Sequence, residues 1–470
     1  MSEQLLFLTG KLAEKSLHRV LQQLQPSQPW QYRIHQIGVS VAALMTPQLI
    51  ARRLPSAGDA QRMILPGLCQ GDLSLLEQKY GIPVERGPID LKDLPQYFGR
   101  GGKAPDLSGQ DVMIFAEIVE APQLDIEQIL ALARHYQQQG ADVIDLGCLP
   151  GVPFPHLAEA IQSLKAAGYR VSVDSLDSSD LLLAGKHGAD FLLSLNEKTL
   201  WIADEVPSVP VLIPARPRSL PSLYRAIEAM QNKGLPFIAD PILDPIPFGF
   251  AESIVRYHKL RKRYPDIAVM MGVGNLTELT DADTTGINAM LFGVITELKL
   301  NAVLTTAVSA HASQAVAEAD QARRIMYAAR EDGRLPRGYS DALLALHDRR
   351  PFPYSADEIA ELATAIKDPS FRIQVSSDGI HIYNRDGEHV ATDPFELYPH
   401  LGVADDASHA FYLGVELARA QIAWQLKKRY SQDEPLSWGC SAEVLDTAGK
   451  VAHRDASLQE QRARKKDEGA

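Results

Sequence analysis

Hydrophobic residues in the first 108 positions occur partly in short continuous runs and partly at helical spacing. The runs LLFLTG, YRIHQIG and QRMILPG are typical of buried strands, whereas LAEKSLHRVLQQL and VAALMTPQLIARRL have apolar residues at helical spacing. This alternation predicts a small, Rossmann-like α/β domain over residues 1–108. The Gly-rich segment Gly99–Pro105 has the composition of a linker and lacks the spacing of a phosphate-binding loop.

From residue 110 to residue 340 the pattern becomes a regular succession of strands and helices. The strands are short apolar runs, as expected where helices cover both faces of a parallel sheet. Eight such units in roughly 225 residues fit a closed (β/α)8 TIM barrel, for which about 250 residues is usual. A doubly wound open sheet is the alternative, but no nucleotide-binding fingerprint accompanies the units. The predicted strands are VMIFAEI, DVIDLG, RVSVDS, DFLLSLN, PVLIPAR, PFIADP, IAVMMGVG and NAVLTTAVS.

A third pattern covers residues 355–450 and predicts a C-terminal α+β module. FRIQVSSDGIHIYNRDGEHVAT alternates with period two around two turn signals, which indicates a β-meander. ASHAFYLGVELARAQIAWQLKKRY then predicts one long amphipathic helix, on which His409, Tyr412 and Glu416 share a face. We expect these three side chains to pack and to cap helix ends rather than to bind a metal, since their spacing matches no metal-binding motif. Residues 451–470 are charged without apolar periodicity and predict a flexible tail.

Composition narrows the classes of function. The chain has 470 residues, with 47 Lys plus Arg against 59 Asp plus Glu, and its formal net charge is −12. This balance argues against non-specific nucleic-acid binding, which depends on cationic side chains. The widely spaced Cys69, Cys148 and Cys440 indicate neither a disulfide framework nor a zinc site. Because there is no signal-like segment and no apolar run of about 18 residues, we expect a cytoplasmic protein without a membrane span.

Polar residues close almost every predicted barrel strand, and TIM barrels carry their active sites at those strand ends. Carboxylates beside an amide suit a cyclic amidine edge, such as that of a pterin or a guanine, because a carboxylate accepts two parallel N–H bonds. Lys198, Arg216 and Arg218 are the nearby positive charges that a phosphate group could use. The strand-end residues are Glu117 or Glu120, Asp145, Asp174, Asn196, Arg216, Asp240, Asn275 and, beyond the eighth strand, His311.

The order of three strand motifs resembles that of dihydropteroate synthases. These motifs are GADVIDLGCLPG (140–151), YRVSVDSLD (169–177) and GADFLLSLNEKT (188–199). LPFIADPILDP (235–245) is similar to the sixth-strand Asp-Pro motif of that family and equally to that of corrinoid-linked pterin methyltransferases. The chain departs from the synthases in its co-substrate motifs: LPGVP replaces the usual Thr-Arg loop, and GVGNLTELTDAD replaces Ser-Arg-Lys.

The flanking segments resemble a narrower group, the dihydropteroate synthase-like proteins of methanogens and methylotrophic bacteria. TGKLAE near the start and DPFELYPHLGV near the C-terminus carry this resemblance, which extends over nearly the whole chain. It implies a role in tetrahydromethanopterin biosynthesis. There the pterin is joined to ribofuranosyl-aminobenzene 5'-phosphate rather than to para-aminobenzoate, and a changed co-substrate would explain the departures.

The resemblance implies a transferase that condenses a dihydropterin 6-hydroxymethyl diphosphate with an arylamine. Mg²⁺ is the implied cofactor, with Glu117 as its candidate ligand. Asp174 and Asp240 are the implied catalytic residues, and Asp244 competes with Asp240 as the sixth-strand acid. The implied pterin contacts are Asp145, Asp174, Asn196, Asp240 and Asp244, and the candidate co-substrate or anion contacts are Lys198, Arg216, Asn275 and His311.

Two other functions remain open at this point. One is a pterin-dependent methyltransferase that acts with a corrinoid partner. The other is a pterin-binding or scaffold subunit without catalysis, which the missing co-substrate motifs favour. In each case we expect small-molecule pterin binding, no nucleic-acid or membrane partner, and a homodimer.

Overall fold

The computed structural model describes residues 2–39, 42, 45–98 and 105–442. The chain forms two compact units, of which the first comprises Met1–Ser108 with Arg337–Tyr339 and the second comprises Gly109–Pro336 with Ser340–Ala470. Most of the predicted linker, the end of the C-terminal module and the predicted tail lie outside the described residues.

The first unit is a parallel four-stranded sheet with helices on both faces. Its strands have the spatial order β2-β1-β3-β4, and all three pairings are parallel. The helix predicted from VAALMTPQLIARRL begins at Pro47. Thr46 caps its start, since the Thr46 side chain accepts a hydrogen bond from the Leu49 amide, and Pro47 fits the first helical position. The strands are β1 (Gln4–Thr9), β2 (Gln31–Gln36), β3 (Arg62–Leu65) and β4 (Val84–Arg86), and the helices are α1 (Glu14–Leu24), α2 (Pro47–Arg53), α3 (Ser74–Tyr80) and α4 (Leu94–Tyr97).

Eight parallel strands of the second unit form a closed barrel, which confirms the predicted fold class and rules out the open doubly wound sheet. The last strand pairs in parallel with the first, and each predicted run overlaps one of the eight strands. The strands are β5 (Met113–Ile118), β6 (Val143–Gly147), β7 (Val171–Asp174), β8 (Phe191–Leu195), β9 (Val209–Leu212), β10 (Ile238–Ala239), β11 (Ala268–Gly272) and β12 (Ala302–Thr306). The helices between and after them are α5 (Ile126–Gln138), α6 (Leu157–Ala166), α7 (Ser178–Lys186), α8 (Ile202–Glu205), α9 (Leu220–Lys233), α10 (Phe250–Arg263), α11 (Gly274–Thr277), α12 (Thr284–Glu297) and α13 (Ala315–Glu331).

Two layers of side chains occupy the barrel interior. The lower layer is a buried apolar cluster that includes Phe115, Phe191 and Met270. Since strand side chains alternate between faces, the positions two residues after Phe115, Val143 and Ile238 of this cluster also face inward, and they are the polar residues Glu117, Asp145 and Asp240. The lower apolar layer fills the barrel interior, so the polar side chains lie above it at the carboxyl mouth.

A buried arginine ties the last barrel helix to the start of the barrel. Arg323 on α13 is 3% exposed and donates to the carbonyl oxygens of Val112 and Gly140 at 2.6 and 2.9 Å. Its guanidinium also pairs with Asp142 and Asp320. These contacts join α13 to the residues that precede β5 and β6, at the end opposite the carboxyl mouth.

The remaining part of the second unit contains an antiparallel three-stranded sheet, as the period-two pattern predicts. The long helix ends at Leu426, before the predicted Tyr430, because Lys427 adopts a left-handed conformation with φ 50°. Glu416 on this helix is buried and bonds Arg419 and Tyr430, a structural role like the one predicted. The elements are α14 (Ala356–Thr364), β13 (Arg372–Ser376), β14 (Gly379–Asn384), β15 (Gly387–Ala391), α15 (Pro394–Leu397) and α16 (Ala407–Leu426).

Among the described residues, no helix is both long enough and apolar enough to cross a bilayer.

Candidate functional site

Three carboxyl groups meet at the carboxyl mouth of the barrel. Glu117 and Asp145 lie side by side on β5 and β6, and Asp174 ends β7. One oxygen of each lies within 4.8 Å of the others, and no other group of His, Cys, Asp and Glu in the described ranges meets this criterion. Glu120, the alternative to Glu117, is exposed outside the strand. The structure therefore brings together three of the predicted site residues.

Asp145 is the most deeply buried of the three. The Ser172 hydroxyl donates to its Oδ1, whereas its Oδ2 has no hydrogen-bond partner in the described part of the chain. Burial, and next the charges of Asp174 and Glu117, raise the pKa of Asp145 well above its usual value. A protonated Asp145 can donate a hydrogen bond as well as accept one.

Asp174 is oriented by an irregularity in the neighbouring strand. Ser194 lies at a register shift in β8, has φ 76°, and donates from Oγ to Asp174 Oδ1 at 2.7 Å. A left-handed conformation is costly for a residue with a side chain, and such strain is concentrated at functional sites. Burial raises the pKa of Asp174 above its usual value.

Glu117 depends on a glycine for its space. A Cβ atom at Gly147 would lie 2.5 Å from Glu117 Oε1, so a larger residue would displace this carboxyl group. Burial, followed by the charges of Asp174 and Glu278, raises the pKa of Glu117 to about 7. The group can therefore exist in either protonation state near neutral pH.

The sixth-strand acids have different surroundings. Asp240 Oδ1 accepts from the Tyr257 hydroxyl and the Ile242 amide, both at 2.7 Å, which leaves Oδ2 for a ligand. Burial raises the pKa of Asp240 to about 6, and the negative charge of Asp174 contributes to this rise. Asp240 is therefore close enough to interact electrostatically with Asp174 of the carboxyl cluster. Asp244, by contrast, pairs with Arg256 and Arg218 at 2.8 and 3.1 Å. Asp240 is thus the better candidate for ligand binding.

Glu278 is a charged neighbour of this site that sequence reasoning missed. Its carboxylate accepts from the backbone amides of Val308 and Ser309 at 2.7 and 3.0 Å. Burial alone would raise its pKa, but the hydrogen bonds from Ser309 and Val308 outweigh burial, and the pKa of Glu278 is lowered. A lasting negative charge beside Glu117 follows. Its only signal in the sequence was its position after the seventh strand.

The remaining predicted residues lie in the loops and short helices that follow the strands, with Asn275 on α11. Asn196 Oδ1 accepts from the Lys198 amide at 3.0 Å, and Asn275 Nδ2 donates to the Leu243 carbonyl at 2.7 Å. His311 is exposed, with Nε2 3.1 Å from the carbonyl oxygen of Thr277. Lys198 and Arg216 are exposed. These contacts shape the loops and do not join the residues to the carboxyl cluster.

The charge pattern of the mouth favours a ligand rich in N–H groups. The pKa values of Glu117, Asp145, Asp174 and Asp240 are all raised, since burial disfavours their charged forms. A cation or an amidine edge would compensate the buried charge. The donor set also fits a hard divalent cation such as Mg²⁺, which prefers oxygen ligands, and Asp145 Oδ2 is an unpaired buried oxygen that such an ion could use.

Large exposed apolar side chains surround the carboxyl mouth. They lie in the loops after five of the eight strands, where solvent-exposed loops are normally polar. With their exposed fractions, they are Val152 at 42%, Leu176 at 76%, Phe248 at 70%, Leu279 at 62% and Val308 at 63%. We call these five residues the apolar rim.

Comparison with known proteins gives relatives for the whole chain and for parts of it. Residues 3–89 match the model of a family of unknown function, DUF6513. A protein of Methanocaldococcus jannaschii, "Uncharacterized protein MJ0107", is 26% identical, and the match covers 92% of this chain and 98% of that protein. The relative is thus similar along almost its full length.

Among solved structures, the similar chains include dihydropteroate synthases. One from Coxiella burnetii, in complex with pteroic acid, is 17% identical with a TM-score of 0.39, and the match covers 48% of this chain and 94% of that chain. One from Yersinia pestis, with a pterine-sulfa conjugate, is 16% identical with a TM-score of 0.37, and the match covers 48% of this chain and 95% of that chain.

Proposed function

We propose that the carboxyl mouth of the barrel binds the amidine edge of a reduced pterin and that the protein is a dihydropteroate synthase-like transferase. The observation that carries this proposal is the pair Asp174 and Asp240. Each is a half-buried carboxyl group at a strand end, and each has Oδ1 held by a hydroxyl donor. They occupy the positions at which the strand motifs resemble those of pterin-binding barrels.

In the proposed reaction an arylamine displaces diphosphate from the 6-hydroxymethyl group of the pterin. The C–O bond to diphosphate breaks, a C–N bond forms, and the amine loses a proton. Asp174 and Asp240 would accept N–H bonds from the pterin edge and stabilise positive charge on the ring as the diphosphate leaves. Asp145, whose pKa is raised by burial, would in its protonated form donate to a ring acceptor.

The finer assignments belong to the same proposal. Glu117 would hold Mg²⁺, which when bound supplies positive charge against the diphosphate. Lys198, Arg216, Asn275 and His311 lie in loops and short helices after the strands, where a phosphorylated arylamine could contact them. The departures from the para-aminobenzoate motifs favour ribofuranosyl-aminobenzene 5'-phosphate as the amine and a role in tetrahydromethanopterin biosynthesis.

Diphosphate release by the purified chain tests this function. The chain is mixed with 6-hydroxymethyl-7,8-dihydropterin diphosphate and either 4-aminobenzoate or the ribofuranosyl arylamine phosphate. We expect turnover with the latter, and at least a hundredfold loss in Asp174→Asn and Asp240→Asn. Asp177→Asn is the matched control, because Asp177 is an exposed cap of α7 and Asn caps equally well.

The outcomes of this experiment distinguish the transferase from a non-catalytic pterin-binding subunit. Pterin binding by calorimetry without diphosphate release would favour the non-catalytic pterin-binding subunit. If the wild-type chain binds no pterin, or if both Asn variants bind as the wild type does, the proposal is wrong.

The apolar rim supports a second candidate, a pterin methyltransferase with a corrinoid protein as partner. A small phosphorylated amine has no need of five exposed apolar side chains, whereas a protein that covers the mouth would bury them. Methylation of a corrinoid protein from a methylated pterin would show this activity. We expect Phe248→Ser to slow it at least tenfold without weakening pterin binding. Phe411→Ser is the control, since Phe411 is 76% exposed on α16.

A further inference from the structure

The first unit contains a crevice at the point where its strand order reverses. From β1 the chain proceeds through α1 to β2 on one side, and β3 then follows on the other side of β1. Phe7 of β1 packs with α1 and α4 on one face, and Leu8 packs with α2 and α3 on the opposite face. The loops that leave β1 and β3 therefore diverge. In open parallel sheets, ligands bind in the crevice that such divergence creates at the carboxyl ends of the strands.

The structure has a cavity at this place, with a volume of about 140 Å³. The ends of three strands contribute to it, namely Thr9 of β1, Leu65 of β3 and Gly87 directly after β4. Ala13 and Leu17 close it from the side of α1. The cavity thus lies at the carboxyl edge of the sheet, where the strand order reverses.

The lining chemistry limits what can bind. Every lining side chain is apolar except that of Thr9, which is buried and donates only a long 3.3 Å bond to the adjacent Gly10 carbonyl. An engineered apolar cavity of about 150 Å³ binds benzene, so this volume accommodates one aromatic ring. A charged group would find no charged side chain in the lining, and burial without a partner would disfavour it.

We propose that this crevice binds a small molecule through a single aromatic ring that bears one neutral hydrogen-bonding substituent. The ring occupies the apolar cavity, and the substituent bonds the Thr9 hydroxyl. This site is independent of the proposed function of the barrel, and it assigns a binding role to the part of the chain that contains TGKLAE.

Binding of phenol and toluene to the full chain tests the site, measured by saturation-transfer NMR and titration. We expect both probes to bind and Ala13→Trp, which fills the cavity, to weaken both at least tenfold. Leu12→Trp is the control, because Leu12 is adjacent and 55% exposed. Asp174→Asn should bind both probes as the wild type does, which separates this site from the barrel.

A second variant keeps the test decisive if Ala13→Trp does not fold. Thr9→Val preserves the side-chain volume and removes the hydroxyl, so we expect phenol to bind several-fold more weakly and toluene to bind unchanged. The proposal is overturned if the wild type binds neither probe, if Leu12→Trp weakens binding as much as Ala13→Trp, or if Thr9→Val affects both probes equally.

Discussion

The protonation of single carboxyl groups determines what the barrel mouth can do. Asp174 and Asp240 were predictable from the strand motifs, but their partners Ser194 and Tyr257 were not, since each lies 17 or more residues away in the chain. The choice between Asp240 and Asp244 also needed the structure. Arg256 on α10 pairs with Asp244, and only the packing of that helix shows which acid it neutralises.

The raised pKa of Asp240 predicts how stability depends on pH. The folded protein binds this proton more tightly than the unfolded chain, so stability falls as pH rises from 3.8 to about 6 and is level above that. Asp240→Asn keeps the Oδ1 acceptor and cannot ionise. We expect it to be more stable than the wild type above pH 6, by about 3 kcal/mol, and to match it below pH 4.

Urea unfolding of both proteins at pH 4, 6 and 8 measures this difference. An equal difference at all three pH values would contradict the assigned ionisation of Asp240.

The space beside Glu117 gives a second prediction at this scale. Gly147→Ala places a methyl group 2.5 Å from Glu117 Oε1, so the carboxyl group must move. Because the displaced carboxyl group could no longer hold Mg²⁺, we expect about tenfold weaker binding of the pterin diphosphate in the presence of Mg²⁺, about 1.4 kcal/mol, with little change in the free energy of unfolding. Shortening the acid should relieve the contact, so the double variant with Glu117→Asp is the control. Calorimetry that shows no recovery in the double variant would mean that the methyl group acts elsewhere.

Among the elements, strand β8 is the one whose irregularity serves the site. Its sequence, FLLSL, predicts an ordinary buried strand, and nothing in it indicates that Ser194 leaves the regular conformation. The register shift rotates Ser194 toward Asp174 on the adjacent strand β7, which a regular alternation would not do.

Two substitutions at Ser194 separate strain from hydrogen bonding. Ser194→Ala loses the bond to Asp174 and keeps the strained φ, whereas Ser194→Gly loses the bond and relieves the strain. We therefore expect the Gly variant to be about 1 kcal/mol more stable than the Ala variant, with pterin affinity reduced similarly in both. Thermal unfolding and calorimetry measure the two effects. If the Gly variant is less stable than the Ala variant, the backbone at Ser194 is not strained as inferred from its φ of 76°.

At the scale of the whole molecule, closure of the barrel depends on contacts between distant parts of the chain. Arg323 bonds residues 181 and more positions away, at the start of β5 and β6. Removal of the Arg323 guanidinium would leave the carboxylates of Asp142 and Asp320 and the carbonyl oxygens of Val112 and Gly140 without this partner. We expect Arg323→Met to lower the free energy of unfolding by roughly 3–5 kcal/mol.

Arg324→Met is the matched control for this prediction. Arg324 pairs with the same Asp320 at 2.8 Å but is partly exposed, so its loss should cost less than about 1 kcal/mol. Chemical denaturation of the two variants gives the comparison. Equal losses would show that Arg323 acts as an ordinary surface ion pair.

The sequence by itself determined the succession of strands and helices, the eight-unit barrel and the acids at its strand ends, because these depend on local periodicity and on the parallel alignment of strands. Only the tertiary structure decided that Glu117, Asp145 and Asp174 share one buried cluster, that Asp244 is neutralised, and that Glu278 is a lasting charge beside Glu117. The physical reason is that pKa values, buried partners and cavities depend on distances between residues far apart in the chain. Periodicity along the chain does not contain those distances.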